Sequence, residues 1–189
     1  MSAAARAVVD TPALNLAGLR RMNFKELETL YRAGKRPSSI SDLDGHAVGA
    51  MLAWRTPARG PIAWLLRVFG AASIFPWEGK SFQNQTGDLG TGINRINLFR
   101  KMRWFSFRTR FDASFIDGQP SFILDYSGPA NPPLIRSIVD EVREVAPGLY
   151  LGPAALLVGG KPKPILFFAV SFQEECQKPD RQGGPGSAE

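Results

Sequence analysis

Residues 99–111 read FRKMRWFSFRTRF. From Phe105 onward every second position is apolar or Thr, and Ser106, Arg108 and Arg110 fall between. A period of two is the signature of a β-strand with one face turned inward. The Phe residues therefore belong to an interior and the Arg residues to a separate face. The strand either presents those Arg residues to an anionic partner or keeps them wet on an ordinary outer surface.

The same stretch carries the charge of the chain. The protein has 189 residues and a formal net charge of +6. Between residues 95 and 110 stand Arg95, Arg100, Lys101, Arg103, Arg108 and Arg110, with no acid among them. Without these six, basic and acidic residues balance at 17 each. The positive field is thus local. Fields of that kind attract phosphate, carboxylate, nucleic acid or acidic lipid.

Length and composition suit one soluble domain with a real core. One Cys and one His exclude an internal disulfide framework and multi-His or Cys-based metal sites. No cofactor fingerprint is present: LGTGINR lacks the third Gly and the strand–helix context of a dinucleotide site. The first residues, MSAAARAVVDTPALNL, contain Arg6 and Asp10 and no continuous apolar run, which predicts a cytoplasmic location.

Outward from the opening stretch, the chain divides into a lead-in (1–22), a single domain (23–176) and a Gly- and Pro-rich tail (177–189) expected to be disordered. NFKELETLYRAG predicts a helix: Asn23 and Glu26 have capping-box spacing, and Phe24, Leu27, Leu30 and Tyr31 form its apolar stripe. HAVGAMLAW (46–54) predicts a strand. PIAWLLRVFG (61–70) predicts a short helix, either a lid over the sheet or a segment lying on an anionic membrane surface. From Phe75 the pattern turns to strands: KSFQNQ, TGINRINLFR, MRWFSFRTRF, PSFILDYS, GLYLGPAALLV and PILFFAVSF. One helix is predicted among them. Asn131 is its cap, and Leu134, Ile135, Ile138, Val139, Val142 and Val145 form its stripe, with Arg136–Asp140 as an i,i+4 pair on the wet side.

Sequential strands with short turns imply an antiparallel sheet. Ile165–Phe172 is apolar on both faces, as in a curved sheet or barrel with a filled or ligand-holding interior. The expected fold is α+β, mainly antiparallel β: a strongly bent sheet or small barrel with covering helices. A two-residue turn at Asp117-Gly118 would set Arg110 opposite Asp125. A turn at Lys101-Met102 would set Arg95 opposite Arg108.

The segments Trp77-Glu78-Gly79-Lys80-Ser81-Phe82, Leu124-Asp125-Tyr126 and DEVREVAPGLYLG (140–152) resemble a family of small, mostly uncharacterised bacterial proteins. At the level of fold the chain is similar to the calycin and lipocalin group, in which a helix and a Trp-Gly segment precede an antiparallel barrel with an apolar cavity. It departs from lipocalins in carrying Trp-x-Gly rather than Gly-x-Trp, and in the helix expected before the last two strands.

Three functions follow as expectations. The first is non-enzymatic binding of a small amphiphilic carboxylate, fatty-acid-like, in a barrel cavity. Phe105, Phe107, Phe122, Leu124, Tyr126, Tyr150 and Phe167 would form the apolar wall, and Arg108 or Arg110, beside Asp125, would hold the acid. A bulge, turn or sheet edge must then bring wall and clamp together. The second is binding of single-stranded nucleic acid or an anionic surface through the Arg face, with Phe99 and Trp104 available for stacking. The third is cofactor-free catalysis, as an isomerase, cyclase or hydrolase, by Asp125, Tyr126 or His46.

Overall fold

The computed structural model describes residues 14–55, 77–84, 89–98 and 100–173, and it leaves aside the side chains of 84, 97, 98 and 100–103. Eight antiparallel strands form a closed barrel in chain order. They are β1 (Gly45–Trp54), β2 (Trp77–Asn84), β3 (Leu89–Leu98), β4 (Arg100–Ala113), β5 (Pro120–Asp125), β6 (Ile138–Ala146), β7 (Leu149–Val158) and β8 (Lys161–Ser171). Closure comes from β1 pairing with β8, Val48 opposite Ser171. The expected helix at 61–70 and the tail at 177–189 lie outside the described residues.

Among the described residues two α-helices precede the barrel. α1 (Leu16–Leu19) is capped by Asn15, within the stretch expected to be only a lead-in. It orders because Leu16 and Leu19 are buried against the barrel wall. α2 (Phe24–Ala33) starts at the expected capping box, with Asn23 accepting from the Glu26 N–H and the Glu26 carboxylate accepting from the Asn23 N–H. Leu27 and Tyr31 are fully buried. They join Leu149, Leu151, Phe167 and Ala169 in a cluster on the outside of β7 and β8. The helices thus cover the outer face where the sheet is apolar on both sides.

The interior holds a second cluster, including Phe82, Phe107, Phe122, Leu124, Tyr126, Val142, Tyr150 and Phe168. The alternation read in the opening stretch assigns Phe107 and Phe111 to this core, and it is correct. Arg108 lies on the exposed side.

Three expectations need correction. The helix across 134–145 is instead a short 3-10 turn (Ile135–Ser137) leading into β6. All its stripe residues except Leu134 are β-branched, and such side chains suit a pleated surface better than a helix. Arg136 and Asp140 are consequently not a surface pair: Arg136 donates to the carbonyls of Asn131 and Pro129, and Asp140 is buried inside the barrel.

The second correction concerns β4 and β5. They are joined by residues 114–119 rather than by a two-residue turn, so Arg108 is opposite Asp125 and Arg110 opposite Ile123. The slip is by two residues, which preserves the faces. Arg110 still reaches Asp125 diagonally, with Nη1 to Oδ2 at 3.1 Å. Third, Arg95 is opposite Arg103, and Arg108 opposite Thr91.

Candidate functional site: a polar cluster at the base of an apolar cavity

Two β-bulges shape one end of the interior. In β2, Trp77 is opposite Ile96 and Lys80 is opposite Asn94, so three steps on β2 match two on β3. Without the extra residue, Trp77 and Lys80 would point to opposite faces. With it, both enter the barrel. Gly79 absorbs the distortion at φ +134°, and a Cβ there would stand 2.0 Å from the Ala47 carbonyl oxygen. In β4 the register slips between Ser106, opposite Ile93, and Trp104, opposite Asn94. Phe105 between them is held at φ +60°, a conformation an aromatic residue rarely adopts. Asn94 therefore lies between both irregularities.

The bulges border a cavity of about 70 Å³. Its apolar wall comes from Met51 and Trp54 on β1, Trp77 on β2, Phe105 on β4, Ile135 and Ile138 before and in β6, Ala154 on β7, and Ile165, Leu166 and Phe168 on β8. Four polar residues complete it: Lys80, Asn94, Tyr126 and Asp140.

These four are all buried and mutually bonded. The Lys80 ammonium donates to Asn94 Oδ1 at 3.0 Å, to the Tyr126 hydroxyl oxygen at 2.5 Å and to Asp140 Oδ2 at 3.1 Å. The Tyr126 hydroxyl donates to Asp140 Oδ2 at 3.1 Å. Asn94 Nδ2 donates to the Phe105 carbonyl and to the Tyr126 oxygen, each at 3.2 Å. Trp77 Nε1 donates to Asn94 Oδ1 at 3.3 Å. Lys80 also lies 4.9 Å from the centre of the Phe168 ring and 5.2 Å from that of Phe107.

Burial pushes Lys80 below its ordinary value and Asp140 above its own, and the attraction between the two opposes both shifts. The Tyr126 hydroxyl is raised by burial and by the neighbouring Asp140 charge. Asp140 Oδ1 is buried and has no hydrogen-bond partner among the described residues.

The expected site residues separate into four places. Phe105 and Tyr126 line the cavity. Phe107, Phe122, Leu124 and Tyr150 fill the interior beside it, with Phe107 edge-on to Phe82 at 5.5 Å and Phe122 to Phe111 at 5.6 Å. Phe167 faces outward, 4.9 Å from Phe24 of α2. Arg108, Arg110 and Asp125 are on the outer face, where Arg110 bonds both Asp125 and Asp112. Among the described side chains no Arg lines the cavity. His46 is exposed, with Nδ1 2.8 Å from Ser81 Oγ. Asp125, His46 and Tyr126 thus do not converge.

Lys80, Asn94, Asp140 and the two Trp residues are the functional candidates that sequence reasoning passed over. A Gly inside a strand pattern is a bulge signal, and Gly79 beside Lys80 carried it. Asp140 shares strand parity with Ile138 and Val142, which shows only once the segment is read as a strand.

A second buried network lies on the other side of β6. The Tyr31 hydroxyl donates to Glu141 Oε1 at 2.8 Å, as does Ser114 Oγ at 2.7 Å. Arg143 grips Asp117 through two bonds of 2.9 and 2.6 Å. This network fastens α2 and the 114–119 loop to the barrel. Among the described residues no cluster of His, Cys, Asp and Glu could hold a metal ion, and no helix is long and apolar enough to cross a membrane.

No family model and no curated protein matches the sequence. A crystal structure of a protein from Thermomonospora curvata is similar, with a TM-score of 0.50 at 17% identity, over 79% of this chain and 87% of that one. The likeness is one of fold.

Proposed function

We propose that this protein binds a small amphiphilic molecule in the barrel cavity, in the manner of a calycin-like carrier. The observation that carries the reading is the combination of an apolar wall with a buried, bonded polar cluster at one place in that wall. Ligand sites generally pair apolar lining with a few fixed polar groups. The closed eight-stranded meander is also the architecture of lipocalins.

The geometry revises the ligand expected from sequence. Sites for drug-sized ligands span about 300–1,000 Å³, so a cavity of about 70 Å³ encloses only a few heavy atoms. A short chain, or the polar end of a longer one, fits that space, and the whole of a long-chain fatty acid does not. The outer Arg face supports anion binding less well, because Arg110 is already matched by Asp112 and Asp125.

Calorimetric titration with four- to eight-carbon alcohols, acids and amines tests the proposal. Saturable binding of at least one series is expected. Ala154→Leu, which fills the cavity from β7, should abolish it while leaving the circular dichroism spectrum unchanged. Absence of binding by every series, or undiminished binding by the Ala154→Leu protein, would overturn it.

A further inference from the structure

We infer that the end of the barrel bearing the cavity docks on an anionic lipid surface through two projecting hairpins, β3–β4 and β7–β8. The inference does not depend on ligand binding in the cavity.

Strand direction places the contact. β1, β3, β5 and β7 end at this rim, and β2, β4, β6 and β8 begin there. Trp54 is the last residue of β1, and Trp77 and Ile138 are the first of β2 and β6. All three line the cavity, which therefore lies at the same end. Among the described residues, two hairpins continue past their neighbours. β7 pairs with β6 as far as Leu156, and β8 meets β1 from Leu166. Beyond those points the two strands pair with each other, out to Val158 opposite Lys161. Likewise β3 pairs with β2 as far as Ile96, β4 meets β5 from Arg108, and the hairpin between them closes at Leu98 opposite Arg100. In the closed barrel these hairpins stand across the rim from one another, with β1 and β2 on one side and β5 and β6 on the other.

Both hairpins combine apolar exposure with positive charge. Leu157 is 38% and Val158 41% exposed, beside the Gly159-Gly160 turn, and the exposed Lys161 and Lys163 follow. On the other hairpin Trp104 is 43% exposed, and the chain there carries Arg100, Lys101 and Arg103. Neither 95–104 nor 156–164 contains an acid. Of the acids on strand ends at this rim, Asp125 is bonded to Arg110, Asp140 is buried with Lys80, and Glu78 is half-buried. The opposite end of the barrel carries both signs, with Asp42, Asp44 and Asp117 beside Lys35, Arg36 and Arg143.

The basic residues alone would suit any polyanion. Leu157 and Val158 decide in favour of lipid. Aliphatic side chains gain by entering the acyl boundary, whereas a single-stranded nucleic acid needs flat rings on which its bases stack. Trp is favoured at the level of the headgroups, and nearby Lys and Arg are attracted to anionic lipid. A bilayer seated on this rim would bring the cavity end of the barrel toward amphiphiles held in the membrane.

Co-sedimentation of the full chain with vesicles tests the inference, using phosphatidylcholine alone or mixed with phosphatidylserine. The wild-type protein should bind the mixed vesicles, release them as salt is raised, and leave the neutral ones unbound. Lys161→Gln/Lys163→Gln should weaken binding about 25-fold, about fivefold for each lysine. Lys161→Arg/Lys163→Arg should retain it. Leu157→Ser/Val158→Ser should weaken binding about tenfold with an unchanged circular dichroism spectrum. The comparison of the two vesicles in the wild type needs no variant. Equal binding to both vesicles, absence of binding to either, or undiminished binding by the glutamine or the serine pair would overturn the inference. Binding of an oligothymidylate, with no binding to vesicles, would overturn it in favour of nucleic acid.

Discussion

Asp140 and Glu141 are consecutive residues of β6, and they are buried on opposite sides of the barrel wall. Asp140 points inward to Lys80 at 3.1 Å, and Glu141 points outward to Tyr31 of α2 at 2.8 Å. Alternation along a strand requires the opposition. Burial of both requires that β6 be covered twice, by the interior and by α2 with the 114–119 loop. The two carboxylates therefore answer to separate networks and should respond to mutation independently.

Removing Lys80 leaves Asp140 buried with one neutral partner, the Tyr126 hydroxyl. Lys80→Met should cost about 3–5 kcal/mol, as for other broken buried pairs. The double variant Lys80→Met/Asp140→Leu removes the stranded charge and should recover a large part of that loss. Urea unfolding of wild type, both single variants and the double variant checks this. A double variant as unstable as the sum of its singles would show that the two residues do not interact.

Glu141 should make the protein less stable as pH rises through the mildly acidic range. Burial raises its carboxyl above the ordinary 4.5, against the pull of bonds from Ser114, Tyr31 and the Phe115 N–H. Below 4.5 the folded and unfolded forms are both protonated there and the group is neutral in its effect. Above it the unfolded chain ionises first, so stability falls until the folded pKa is passed. Urea midpoints measured from about pH 4 to about pH 7 should show Glu141→Gln gaining on wild type, by the order of 1 kcal/mol.

Asp117 should act in the opposite sense. Bonds from Arg143 hold its carboxyl below the ordinary 3.8, so its contribution is present above 3.8 and is lost as pH falls through the folded pKa. Asp117→Asn should cost about 3 kcal/mol at neutral pH, the low end for a broken buried pair, since Arg143 keeps the carbonyls of Gln119 and Pro120. The difference from wild type should narrow on acidification in the same titration.

The β2 bulge predicts a contrast between two glycines. Gly79→Ala would drive a methyl group to 2.0 Å from the Ala47 oxygen and 2.7 Å from the Gly49 nitrogen, both main-chain atoms of β1. It should cost more than about 3 kcal/mol and perturb the Trp77 environment. Gly118→Ala meets nothing within 4 Å. It should cost only about 1 kcal/mol for its positive φ. Thermal unfolding, followed by tryptophan fluorescence, distinguishes the two.

The strands that alternate cleanly were legible in the sequence, and so was the inward direction of Phe107 and Phe111. The register was less so: the 114–119 loop is longer than Asp117-Gly118 implies because Ser114 bonds Glu141 on the outer side of the wall, a contact between distant segments. The helix expected across β6 fails for a related reason. A strand covered on both faces has no wet side, so its Asp140, Glu141 and Arg143 look like the polar face of a helix. The cavity cluster was hidden in the same way. Lys80 shares a face with Trp77 only through a one-residue bulge, and local periodicity does not reveal which face a bulged residue takes.

Closure of the barrel has a kinetic consequence. The cavity wall draws Met51 and Trp54 from the first strand and Ile165, Leu166 and Phe168 from the last. Those strands pair across nearly the whole described chain. Joining the two strands requires closing the longest loop spanned by any strand pair of the barrel, which makes folding slow relative to helical proteins of this size. The cavity is complete only when that seam forms. A bound ligand would therefore act as a clasp on the seam, stabilising the native state in proportion to its concentration and slowing the unzipping of β1 from β8.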